Sequence, residues 1–144
     1  MTESDVLQEV LANEHAAVYL HGVYGARTSQ SAQPDLYLAL RAAYDAHRGR
    51  RDELAGQLAA EGVTPVAGAT AYEVPDGLET ADGVTAAALD LERACAEVYA
   101  GAVASTTAER RAWAVAALND AAVRELGLRG TPEMFPGAGE YADR

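Results

Sequence analysis

Four stretches of this chain carry apolar residues at the three-and-four spacing of an α-helix, and each sets one ionisable side chain inside its apolar stripe. The first has Leu7, Leu11 and Val18 around Glu14, and the second has Leu40, Ala43 and Leu54 around His47. The third surrounds Glu92 with Thr85, Ala88, Ala96, Tyr99 and Val103, and the fourth leads through Trp113, Ala116 and Ala117 to Asp120. An apolar stripe must bury itself against other helices, and a carboxylate buried without a partner costs several kcal/mol. The pattern therefore constrains the chain to an all-α, four-helix bundle in which four polar groups converge on partners.

Turn and cap residues set the element bounds. Ser4 or Asp5 is expected to cap a first helix over about 4–27, closed by the TSQSAQ stretch. Pro34, tolerated in a first turn, opens a second over 34–61, and Gly62 stops it. A third is expected over 80–104 and a fourth over 107–126, with Thr106 and Glu109 forming a capping box between them. The segment from Gly62 to Gly77, with Pro65, Gly68 and Pro75, has no sustained period and is a connection, and 127–144 is an irregular tail. The short links force antiparallel hairpins, whereas the long one can cross the bundle from end to end. Two hairpins joined by a crossover is thus the expected topology for one domain over 1–144, with a simple up-down-up-down bundle left open.

Composition narrows function by exclusion. A net charge of -11, from 22 acidic and 11 basic side chains, repels nucleic acid phosphates and anionic membranes, so neither is an expected partner. No apolar run approaches the roughly 20 residues of a membrane span, and MTESDVLQEV lacks the features of a secretion signal, which points to the cytoplasm. A lone Cys95 excludes an internal disulfide and any multi-cysteine metal cage.

The segments LANEHAAVYLHG, DAHRGRRDEL, AYEVP, DLERACAEVYAGAV and MFPG together resemble the ferritin-like superfamily, specifically its small actinobacterial-type branch of unknown function. The resemblance implies a bundle whose di-iron members use one Glu on each of two helices and a Glu-x-x-His pair on each of the others. Glu14 and Glu92 match the lone glutamates, and His47 matches the first histidine. Tyr44 stands where the first acid belongs. Asp120 stands for the second acid, and Val123 replaces its histidine. The di-metal site is thus degenerate.

Two chemistries fit what is left. Glu14, His47 and Glu92 form a carboxylate and imidazole set that one Fe, Mn or Zn ion accepts, with Asp120 nearby. Alternatively Arg51, one turn after His47, and Arg124, one turn after Asp120, pair with the carboxylates and no metal is needed. The arginines favour the metal-free network, and no cofactor is expected. Tyr44 is read as a tyrosine bonded to a neighbouring carboxylate, Cys95 as a core filler, and Tyr99 and Trp113 as core. His15 is rotated off the Glu14 face and His21 lies roughly 10 Å along the axis, so both are set aside. The expected function is a non-catalytic binding or self-association module, dimeric through a helical face. The alternative is an Fe- or Mn-dependent oxidoreductase or ferroxidase-like protein with one or two ions.

Overall fold

The computed structural model describes residues 1–129 and 131–138. Four helices follow one another: α1 (Glu3–Ala26), α2 (Pro34–Ala60), α3 (Ala81–Ser105) and α4 (Ala108–Arg129). The bounds fall within a residue of expectation at most ends, but α4 runs three residues past Leu126. The segment 131–138 forms turns and bends, while Gly130 and residues 139–144 of the expected tail lie outside the described residues. Among the described residues no helix is long and apolar enough to cross a membrane.

The caps differ from those expected. Thr2, rather than Ser4 or Asp5, caps α1, and the Asp5 carboxylate accepts from the Thr2 backbone N–H at 2.7 Å to complete a capping box. Before α4 no box forms. The Thr106 hydroxyl donates back to the Ala102 carbonyl at 2.6 Å, and the Thr107 N–H donates to Glu3 Oε1 at 2.7 Å. A carboxylate from the start of α1 therefore satisfies a free donor at the start of α4. Arg110 reinforces this corner by pairing with both Glu3 and Glu61.

Those contacts fix the topology. The start of α1 meets the end of α2 and the junction of α3 with α4, so α1 is antiparallel to both α2 and α3. The connection 61–80 must then climb the whole bundle, and it does so along α1. Gln8 bonds Thr64 and Val66, His15 bonds the Val66 carbonyl at 3.0 Å, Tyr19 packs on Tyr72, and Leu78 joins Tyr24 and Leu40 in the core. The climb ends in a tight turn that two glycines make possible: Gly77 has φ +84°, and a Cβ on Gly83 would sit 1.7 Å from the Gly77 carbonyl oxygen.

The core divides into two apolar clusters. One surrounds Leu11, Leu54, Leu58 and Ala96 toward the start of α1, and the other surrounds Tyr24, Leu40 and Val84 toward its end. Between them lie the buried polar residues Glu14, His47 and Glu92.

Candidate functional site

Helical periodicity brings the polar residues together in pairs. Glu14 and His21 are seven residues apart on α1, two turns, and so share a face; Glu92 and Tyr99 do the same on α3. His47 enters from α2 between the two glutamates. Its Nδ1 lies 2.7 Å from Glu14 Oε2 and its Nε2 lies 3.1 Å from Glu92 Oε1. The Tyr99 hydroxyl donates to the other Glu14 oxygen. His21 Nε2 lies 2.9 Å from Glu92 Oε1, and its ring stacks on that of His47 at 5.2 Å between centroids. From α4, Arg124 Nε stands 3.0 Å from Glu92 Oε2, an ion pair whose angle is poor for a hydrogen bond. Arg124 Nη1 donates to Asp120 Oδ2 at 2.8 Å, and Arg50 pairs with the same oxygen.

The protonation states follow from these partners. Carboxylate oxygens only accept, so a ring with both nitrogens on carboxylates carries two protons. Burial pulls His47 down, but its hydrogen bonds and the charges of Glu14 and Glu92 outweigh burial and hold it above its ordinary value. His21 goes the other way, because burial dominates and its one contact with Glu92 offsets only part of it. A neutral His21 donating from Nε2 leaves Nδ1 as a lone pair, and that atom is buried without a partner. Burial would raise Glu92, yet His21, His47 and Arg124 together hold it well below the usual carboxylate range. Burial and then Glu14 push the Tyr99 phenol far up, so it stays a donor. Burial lowers Arg124, but Glu92 and Asp120 more than restore it and keep the guanidinium charged.

The charges balance. The carboxylates of Glu14, Glu92 and Asp120 meet the cations His47, Arg124 and Arg50. As a metal site the same residues offer a different set: one donor atom each from His21, His47 and Glu92 lies within 4.8 Å of the others. Two imidazoles and a carboxylate suit a divalent first-row ion. Against this, both Nε2 atoms direct protons at Glu92 Oε1, and the Arg124 cation covers the carboxylate's other oxygen.

Several expected positions move. Asp120 does not point into the bundle; its side chain is 49 % exposed and sits on the rim between Arg50 and Arg124. The buried face of α4 is instead Ala114, Ala117, Ala121 and Glu125, one residue out of phase with the expected stripe. Val123, which stands at the histidine position in the ferritin-like comparison, is 66 % exposed. Arg51 pairs with its neighbour Asp52 at 2.8 Å, and Arg50 is the α2 arginine that meets the network. Tyr44 packs beside Gly22 and Arg48, and the phenol on a glutamate is that of Tyr99. His21, set aside on distance, reaches Glu92 because that carboxylate lies between the levels of Glu14 and His21.

Cys95 is fully buried, takes a hydrogen bond from Asn13 at 3.4 Å, and is pushed well up by burial, which suits a filler better than a nucleophile. Glu125 is the buried acid of α4. Burial, and then Glu133 beside it, push its carboxyl up to about 7.

The network is open on one side. A cleft of about 390 Å³ between α2 and α4 has Leu40, Ala42, Ala46 and Leu128 on its walls, and His21, Glu92 and Arg124 also line it.

Residues 6–140 match the family described as "Domain of unknown function (DUF4439)". A crystal structure of a conserved hypothetical protein, rv2844, from Mycobacterium tuberculosis is similar to this chain, with 29% sequence identity and a TM-score of 0.80 over 89% of this chain and 88% of that one. No curated protein matches the sequence.

Proposed function

The chain belongs to the family described as Domain of unknown function (DUF4439), and from the geometry of its core we propose that it is a metal-free, ferritin-like binding module rather than an oxidoreductase. The observation that carries this reading is Arg124 Nε at 3.0 Å from Glu92 Oε2. In a di-metal bundle the helix-three glutamate faces a metal cation; here it faces a guanidinium. His47, protonated between Glu14 and Glu92, supplies a second fixed positive charge. Both cations come from the chain itself, so the network is neutral without an ion and has no oxidisable centre.

The test is metal analysis of protein purified without chelator and then exposed to ferrous iron under oxygen. Metal at background, with iron oxidised no faster than in buffer, is the expected result. Near-stoichiometric metal that disappears in His21→Leu or His47→Leu overturns it. That outcome belongs to the second reading, in which His21, His47 and Glu92 hold one Fe or Mn ion, and which the 4.8 Å convergence of their donor atoms favours. As oligomeric state we propose a dimer through the outer face of α4, where Val115, Val123 and Leu126 are exposed. Light scattering reads it, and Val123→Glu should give the monomer.

A further inference from the structure

The segment 131–138, which follows α4, is held down by contacts that the charge network of the core does not use. Toward its end Gly137, with φ +81°, lies so close on α3 that a Cβ there would sit 2.5 Å from the Ala96 carbonyl oxygen and 2.9 Å from the Ala100 methyl, an approach that only glycine allows. Toward its start Glu133 turns inward, its side chain 7 % exposed. Glu133 Oε1 accepts from Arg129 Nη1 of α4 at 2.5 Å and from Arg93 Nε of α3 at 3.4 Å, so one carboxylate ties the segment to both helices.

Docking sets this acid beside a second one. Glu125 of α4 is 2 % exposed, and neither of its carboxyl oxygens has a donor. Glu133 stands within hydrogen-bond reach of it. Two carboxylates only accept and so cannot bond, whereas one carboxyl O–H donates to one carboxylate. Both guanidinium groups lie on Glu133, so Glu125 is the acid of the pair that takes the proton. The other charged groups about the pair are Arg93 and Glu92 from α3 and Arg129 from α4; Arg93 favours a charged Glu125, and Glu92 opposes it.

We propose that segment 131–138 is a proton-controlled latch, docked on α3 and α4 while Glu125 and Glu133 share one proton and loosened when that proton leaves to solvent. Burial and then Glu133 push the Glu125 carboxyl up to about 7, and both causes weaken once the segment lifts away, so the group returns toward its ordinary value of about 4.3. The docked form thus binds the proton more tightly. Its advantage is fully present below the ordinary value and is lost as pH rises through about 7, and the docking constant should fall about tenfold between pH 6 and pH 8.

The test is NMR of the full chain with carbon-13 at the glutamate carboxyls and fluorine on the ring of Phe135, the one phenylalanine in the sequence. One wild-type carboxyl should titrate near 7, and Glu125→Gln, which keeps a neutral donor in place, should remove that titration and so identify it. Gly137→Val, whose side chain meets the Ala96 carbonyl, should move the fluorine signal and bring the same carboxyl below about 5. In urea too dilute to lower helix content by circular dichroism, the wild-type fluorine signal should shift toward that of Gly137→Val about tenfold more readily at pH 8 than at pH 6, and equally at both in Glu125→Gln. No glutamate titrating above about 6, a titration unchanged in Gly137→Val, a fluorine signal that Gly137→Val leaves in place, or equal release of the wild-type segment at the two pH values each overturns the proposal.

Discussion

The two interfaces between the helical hairpins, α1 with α3 and α2 with α4, are built differently. Between α1 and α3 the helices pack directly, with Leu7, Val10, Leu11, Ala17, Ala88 and Ala96 buried along them, and this interface supplies the buried carboxylates Glu14 and Glu92. Between α2 and α4 only long side chains meet: Arg50 reaches Asp120, and Trp113 donates to Glu53 at 3.1 Å. That looser interface supplies the cations His47, Arg50 and Arg124, and it leaves the cleft. The two fully buried anions thus lie on the tightly packed side, and the groups that neutralise them come from α2 and α4. A buried charge is tolerated only while its partner stays, so the tight seam depends on the open face.

The strongest way to break this relation is to remove the shared carboxylate. Glu92→Leu leaves His47 and Arg124 facing hydrocarbon, and urea unfolding should register a loss of about 3–5 kcal/mol. Tyr99→Phe keeps the ring and removes one donor to Glu14, so a smaller loss of about 1–3 kcal/mol is expected from the same measurement. The third effect is a slope. His47 is held above its ordinary value because Glu14 and Glu92 outweigh burial. Its contribution is therefore fully present below the unfolded value of about 6.5 and is lost as pH rises through the folded value. Glu125, pushed up to about 7, titrates in the same region, so the His47 contribution is read as the difference between the wild type and His47→Gln. As pH rises above about 6.5 the wild type should lose stability relative to His47→Gln. On the open face, Ala42→Leu should change stability by no more than about 0.5 kcal/mol, because the residue is exposed and the cleft can take the added carbons. A loss there comparable to that of Glu92→Leu would mean that the cleft is packed space and the contrast between the two interfaces is wrong.

Much of this was legible in the sequence, and the parts that were not have identifiable causes. Glu14, His47 and Glu92 sit in stripes whose large neighbours, Leu11, Leu54 and Tyr99 among them, fix the helical phase. The α4 stripe has no such markers. Alanines at 112, 114, 116, 117, 121 and 122 occupy nearly every side of that helix, so a shift of one residue costs little apolar burial, and the stripe that would turn Asp120 inward gives way to one that buries Glu125. Arg51 lies one turn from His47, yet that geometry describes a neighbour on the same helix, whereas the network is built between helices and takes Arg50. His21 and Tyr99 did leave a signal: each lies two turns from a buried glutamate on its own helix, at the spacing that returns a side chain to the same face. Distance along the axis is a poor guide there, because the partner comes from a different helix at an intermediate height.

The account stands most directly on the charge of His47. Nitrogen-15 NMR of the imidazoles at pH 7, before and after one equivalent of ferrous iron under argon, reads it. Arginine and histidine neutralising the glutamates in place of a metal predicts a His47 ring protonated on both nitrogens, and a spectrum that iron leaves unchanged. A neutral His47 whose signals vanish on adding iron would contradict it.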